Sequence, residues 1–277
     1  MDTLSSMLEA RYGRPGSTDQ EAEVNPVLAT LLQHRTHRAF SDQAVQAEVL
    51  EQLLAATFSA PSKSDLQQCS LIHIQNKGKR EELAGLVPTM PWVASCPEFF
   101  IFCADGRRIQ RIAELRGKPF ANNNLDNLIA AVCDVGIALQ AFVTAAESLG
   151  LGCCPISVLR DNMEAVARIV NLPDRVIPVA GMCLGYPARE GFVSMRLPLS
   201  VTCHVDTYDD SNLPQEVDAY DQRRDARYSI PEAQQKYKKK YGIAEMYGWS
   251  EDKARQMSVP ERENVGPYVR SHGFGLD

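Results

Sequence analysis

Residues 125–157 read LDNLIAAVCDVGIALQAFVTAAESLGLGCCPIS, and this stretch decides how the rest of the chain is read. Leu125, Leu128, Ile129, Val132, Val135, Leu139, Phe142, Val143, Ala146 and Leu149 recur at three- and four-residue spacing, the period of an α-helix, and cover more than one stripe of it. The spacing predicts a helix from Leu125 to Leu149 that is buried on several sides, as helices in subunit interfaces are. Gly150-Leu151-Gly152 ends it, and Cys153 to Ser157 reads as extended. The length would suit a bilayer, but charges such as Asp126 and Asp134 would each cost roughly 2.5–3.5 kcal/mol near its centre. The expectation is a soluble core helix and no membrane partner.

Outward from this helix, other helices alternate with short apolar strands. Asn25 as N-cap and Pro26 at the first helical position open a helix whose apolar face is Val27, Leu28, Leu31 and Leu32. Val45, Val49, Leu50, Leu53, Leu54 and Phe58 mark a second, ended by the loop Ser59-Ala60-Pro61-Ser62. Strands are expected at 71–74, 99–102 and 176–184, and helices at 81–86, 107–116 and 161–172. Residues 1–24 are polar, broken by Gly13-Arg14-Pro15-Gly16, and read as an extension or a first helix. Beyond Gly185-Tyr186-Pro187 the chain turns polar, aromatic and Pro-punctuated. The expected organisation is an extension (1–24), a core (25–200) and a C-terminal excursion (201–277). The alternation implies a mixed α/β architecture, while strand order is not in the pattern.

Composition removes several classes of function. With 277 residues, 44% hydrophobic and 23% charged, the chain has ordinary globular usage. A net charge of -6 offers no general attraction to a nucleic-acid backbone, so no nucleic-acid partner is expected and any anion site must be local. Eight cysteines in a chain this long do not make a disulfide scaffold. Cys69, Cys96, Cys103, Cys133, Cys183 and Cys203 sit among apolar neighbours and are expected to be buried, which points to the reducing cytoplasm. The N-terminus carries Glu9, Arg11 and Arg14 where a secretory signal would need an apolar run. No pair at zinc spacing appears, and no metal site is expected.

Two segments can carry chemistry. His34-Arg35-Thr36-His37-Arg38 sets four potential cations in five residues at a helix end. A solvated surface, or cations favoured by the helix dipole, accounts for part of this; the functional reading is that guanidinium matches phosphate bidentately. Ala60-Pro61-Ser62-Lys63-Ser64-Asp65-Leu66-Gln67 is either a plain connection or a set of hydroxyl, amide and ammonium donors for a polar heterocycle and a phosphate. Arg196 is a third, isolated cation.

Arg35-Thr36-His37-Arg38-Ala39-Phe40 resembles the R-S-x-R-x-F opening of the nitroreductase family, and Ala60 to Gln67 resembles its A-P-S-x-x-N-x-Q loop. Glu147 to Gly152 is similar to the end of its helix before the flavin-facing strand, and Leu184-Gly185-Tyr186-Pro187 to its L-G-x-P close. The resemblance covers roughly 27–200. The tail Tyr220-Asp221-Gln222-Arg223-Arg224-Asp225 resembles that of the NADPH-preferring nitro and flavin reductases.

The resemblance implies an α+β fold with a mixed, mainly antiparallel sheet flanked by helices, in an interwoven homodimer with FMN at the subunit interface. It implies that His34, Arg35, Thr36 and Arg38 face the FMN phosphate and the polar edge of the flavin, with Arg196 as a second phosphate clamp. Ser62, Lys63, Ser64 and Gln67 would bond ribityl and pyrimidine atoms, and Pro155, Ile156 and Ser157 would lay backbone against the ring. His37 is read as surface. For the NADPH 2′-phosphate the candidates are Arg223, Arg224 and Arg227, set against a solvated helix face as the plain reading.

The implied activity is ping-pong reduction of nitroaromatics, quinones or free flavins by NADPH or NADH, with the flavin and no catalytic side chain carrying the chemistry. Dehalogenation or substrate dehydrogenation on the same fold, and non-catalytic flavin binding, stay open as alternatives. Asp65 departs from the family's Asn, since a carboxylate cannot donate. Cys153, Cys154, Pro155 and Ser157 replace the glycines and aromatic common near the flavin strand, and the Cys pair reads as packing or as a redox pair.

Overall fold

The computed structural model describes residues 3–14 and 24–277; Pro15 and Gly16 of the expected breaker lie outside the described residues. In chain order the elements are α1 (Leu4–Tyr12), α2 (Pro26–Gln33), α3 (Ala47–Phe58), β1 (Cys69–His73), α4 (Lys77–Gly85), α5 (Trp92–Ser95) and β2 (Glu98–Asp105). Then come α6 (Arg107–Leu115), α7 (Leu125–Ser148), β3 (Gly152–Ile156), α8 (Met163–Val170), β4 (Val176–Gly185), α9 (Leu199–Thr202) and α10 (Leu213–Tyr228). The last are α11 (Lys238–Tyr241), α12 (Trp249–Met257) and α13 (Val265–Ser271).

Local chemistry sets the helix ends. Asn25 Oδ1 accepts the amides of Val27 (2.9 Å) and Leu28 (3.4 Å), and Pro26 occupies a position where its missing N–H costs nothing. Asn124 caps α7 by accepting from Asn127 N–H at 3.1 Å. Gly150 stops that helix at φ +75°, a left-handed geometry that a side chain would disfavour. The expected helix at 161–172 is divided into a 3-10 turn, Val158–Asn162, and α8.

The strands pair in the order β1-β2-β4-β3, and every ladder is antiparallel. Among the described residues the one parallel contact is an isolated bridge from Thr36 to Cys153. Two helical layers cover the sheet, which is why β2 is apolar on both faces. Phe100, Phe102 and Ala104 join Leu53 of α3 and Ala131, Val135, Ala138 and Phe142 of α7; Phe99, Ile101 and Cys103 join Leu83 of α4, Val93 of α5 and Val166 of α8. Phe142 meets the edges of Phe100 and Phe102 at centroid distances of 5.4 and 5.5 Å. Each such buried ring contributes roughly 1.5–3 kcal/mol by leaving water. This is the expected α+β arrangement.

The chain divides into two compact units, one comprising 1–33 and 193–261 and the other 34–192 and 262–277. Each unit is discontinuous in sequence, because side chains tie distant segments together. In the first unit the buried Arg11 donates to Leu32 O (3.1 and 2.8 Å) and Ser194 O (2.7 Å), and Tyr220 OH donates to Met195 O (3.1 Å). In the second, Tyr268, Val269 and Phe274 from the end of the chain enter the core against the sheet.

One expectation is corrected. Cys133 and Cys203 are exposed, not buried; the other six cysteines are buried, and all eight are free thiols. Within one chain, helix α7 buries the face carrying Ala131, Val135, Ala138 and Phe142 and leaves Leu125, Ile129, Val132 and Ile137 39–52% exposed.

Candidate functional site

The basic segment follows directly on the last turn of α2, Pro26–Gln33, so the C-terminal end of the helix dipole reaches His34 first. It runs extended beside β3, an edge strand with backbone groups free to pair. His37 N–H donates to Cys153 O at 2.9 Å, Thr36 bridges Cys153, and Phe40 bridges Pro187. Gly152 makes the approach possible, since a Cβ there would stand 2.7 Å from His37 Cγ. His37 is therefore half-buried and not plain surface. Burial pushes its pKa below the ordinary 6.5, and the nearby Arg35 and His34 add to this against the opposing pull of Glu147.

The remaining members of the segment divide by partner. His34 Nδ1 is 2.6 Å from Glu147 Oε1, and the Arg35 guanidinium pairs with the Glu190 carboxylate and donates to Gly191 O at 3.4 Å. Arg38 is exposed, with its guanidinium 5.7 Å from the Trp92 ring centroid, and among the described residues it makes no hydrogen bond or ion pair. A cavity of about 500 Å3 opens here, lined by Thr36, His37 and Arg38 together with Arg189, Glu190 and Phe192.

The loop after α3 is built differently. Ser64, Asp65 and Gln67 all have left-handed backbones, at φ +50°, +55° and +52°. Such residues cost on the order of 1–3 kcal/mol each and persist only where their surroundings hold them. Ser62 Oγ accepts Gln67 N–H at 3.0 Å, and Asp65 Oδ1 accepts Gln67 Nε2 at 3.0 Å, so the carboxylate that replaces the family's Asn is used inside the loop. Asp134 of α7 accepts the amides of Lys63 (2.9 Å) and Gln68 (3.0 Å). Lys63 Nζ pairs with Asp126 at 3.2 Å, and the Arg108 guanidinium donates to Gln67 O. A second cavity, of about 420 Å3, is lined here by Thr57, Ser62, Gln67, Ser70, Arg108 and Asp134 among others.

The expected contacts thus fall in more than one place. Thr36 and Arg38 share one cavity and Ser62 and Gln67 line the other, while His34, Arg35, Lys63 and Ser64 line neither. Pro155 and Ser157 are exposed along the edge strand, where a residue without an N–H is tolerated, and Ile156 is buried in the core; none of the three lines either cavity. Arg196 belongs to the other compact unit, where it donates to Ser194 O and Oγ and lines a cavity of about 490 Å3 with Tyr12, Arg224, Trp249 and Lys253.

On α10, Arg224 donates to Met195 O and Tyr220 OH, and Arg227 to Glu9 O and Ala10 O at the end of α1. Arg223 leaves Nε and Nη2 buried without an acceptor among the described residues, and burial, then the charge of Arg14, lowers its pKa. Sequence reasoning missed His37, Arg189, Arg108 and Asp134. A carboxylate inside the apolar run of α7 and the glycine at 152 were the signals that could have found two of them.

A flavin phosphate and a polar ring system need cationic and amide-type donors around a cavity of a few hundred Å3. Arg38 and Arg189 in one cavity, and Ser62, Gln67 and Arg108 in the other, fit that requirement. An antiparallel sheet between two helical layers, with a cationic cavity beside its edge strand, defines a nitroreductase-like α+β protein. Residues 31–186 match the Nitroreductase family and residues 194–277 match its C-terminal domain. The chain belongs to the nitroreductase family.

It is 30% identical over 253 residues to the FMN reductase (NADPH) of Bacillus subtilis (strain 168), covering 91% of this chain and 99% of that one. It is 32% identical over 251 residues to the NADPH-flavin oxidoreductase of Vibrio harveyi, with 91% and 99% covered. The solved structure of the NADPH:FMN oxidoreductase from Vibrio harveyi complexed with NAD+ superposes with a TM-score of 0.78 at 30% identity, covering 90% of this chain and 98% of that one.

Proposed function

We propose that this chain is an FMN-dependent NAD(P)H oxidoreductase that reduces nitroaromatics, quinones or free flavins. The observation that carries this is the cavity beside β3, where Arg38 presents a guanidinium with no ion-pair partner among the described residues. Its charge, with that of Arg189, suits a phosphate. Relatives at 30–32% identity are named for the reduction of FMN or flavin with NADPH, which supports the same reading.

FMN, when bound, would accept hydride from the nicotinamide and pass electrons to the oxidant. Arg35, Arg38, His34 and Thr36 would hold its phosphate and polar edge. Ser62, Lys63, Ser64 and Gln67 would donate to ribityl and pyrimidine atoms, and donors at that edge favour the reduced, anionic ring. The backbone of Pro155, Ile156 and Ser157 would lie against the ring. No side chain has to act as nucleophile or general base. Arg223, Arg224 and Arg227 remain the candidates for the NADPH 2′-phosphate; Arg224 and Arg227 hold backbone carbonyls, and Arg223 and Arg224 each keep donors without an acceptor among the described residues.

The two donor segments line different cavities of one chain, and α7 exposes an apolar stripe of Leu125, Ile129, Val132 and Ile137. Both features support a homodimer in which each FMN contacts two subunits. Eight free thiols support a reducing compartment, the cytoplasm. The purified protein should be yellow, release FMN on denaturation, and bleach when NADPH is added without oxygen. A colourless protein that takes up no FMN would overturn the proposal.

A further inference from the structure

Asp134 is 3% exposed, and its two oxygens accept the Lys63 and Gln68 amides at 2.9 and 3.0 Å. Those amides bracket the three left-handed residues Ser64, Asp65 and Gln67. From the other side Arg108, ion-paired with Asp105 at 3.2 Å, donates to the carbonyls of Gln67 and Cys69 and to Ser70 Oγ. The loop is therefore clasped by a carboxylate that takes its N–H groups and a guanidinium that takes its C=O groups. Only a carboxylate offers two acceptors to two such amides; an asparagine would turn its own NH2 toward one of them.

We propose that Asp134 is a positioning residue of the flavin site: it holds the 63–68 loop in its left-handed conformation so that Ser62 and Gln67 are presented to the flavin before it arrives. The inference rests on the proposed FMN function. A loop held in its binding conformation in advance spends less of the interaction on ordering, and the benefit appears as affinity.

The test compares the full-length wild-type chain with Asp134→Asn, both stripped of FMN. FMN affinity is read by quenching of flavin fluorescence, and the ring's surroundings by visible circular dichroism at saturating FMN. The variant should bind roughly 10- to 100-fold more weakly, the loss of one or two hydrogen bonds to a charged acceptor, and its saturated flavin should show an altered dichroic band. General loosening would lower affinity and thermal midpoint together but leave the saturated band unchanged, and that result overturns the proposal, as does wild-type affinity. Should Asp134→Asn not fold, hydrogen exchange on the stripped wild-type chain decides. The Lys63 and Gln68 amides should be protected, and free exchange at both would refute the clasp. A wild-type chain that binds no FMN overturns the proposed function itself, whereas equal binding by wild type and variant overturns the role of Asp134 alone.

Discussion

Gly152→Ala tests how the basic segment is held. A Cβ at 152 would stand 2.7 Å from His37 Cγ, 2.8 Å from Cδ2 and 2.9 Å from Cβ, all closer than real Cβ contacts. The imidazole lies on a segment whose amide bonds Cys153 O at 2.9 Å, so it cannot withdraw without stretching that bond and the Thr36 bridge. Overpacking of this kind costs roughly 1–3 kcal/mol and one backbone hydrogen bond roughly 0.5–1.5, so the variant should lose about 1.5–4.5 kcal/mol. Urea unfolding measures this. FMN affinity should fall as well, because Thr36 and Arg38 line the cavity on the displaced segment. In Gly152→Ala/His37→Ala two of the three close contacts disappear, so the double variant should lose less than the sum of the singles. A Gly152→Ala chain within about 0.5 kcal/mol of wild type and with unchanged FMN affinity would refute the account, since that is the range of substitutions that disturb nothing.

Arg38→Ala should weaken FMN binding roughly 10- to 150-fold, the worth of a charge-assisted hydrogen bond, and unchanged affinity in a fluorescence titration would remove Arg38 from the site. Burial depresses the His37 pKa, so the native state takes up its proton less readily than the unfolded chain. Its stabilisation is complete above about 6.5 and is lost as pH falls through the depressed native value, so between pH 7.5 and 5.5 the urea midpoint of wild type should drop further than that of His37→Gln. Cys203 should react with a maleimide at any protein concentration, whereas Cys133, on the exposed stripe of α7, should become protected as dimers form. The buried Cys69, its thiol pushed up to about 12 by burial, should stay unreacted at pH 8. Equal labelling of Cys133 and Cys203 in the dimer would exclude that stripe from the interface.

The elements whose signals are local were legible in the amino-acid order. The 3.6-residue period of α7, the Asn25-Pro26 start of α2 and the apolar runs of β2 and β4 act over a few residues, and the motifs at 35–40 and 60–67 were enough to indicate the family. What depends on residues far apart in the chain emerged only once it was folded. The order β1-β2-β4-β3, the docking of Thr36 and His37 on Cys153, and the grip of Asp134 on amides 71 and 66 positions earlier are all pairings across the fold. The same holds for the exposed stripe of α7 and for the two cavities. A residue's type shows what it can bond or bury, but the partner that satisfies it is chosen by the global packing. That is why Asp134 looks from the sequence like a mere charge in an apolar helix and in the fold becomes the anchor of a strained loop.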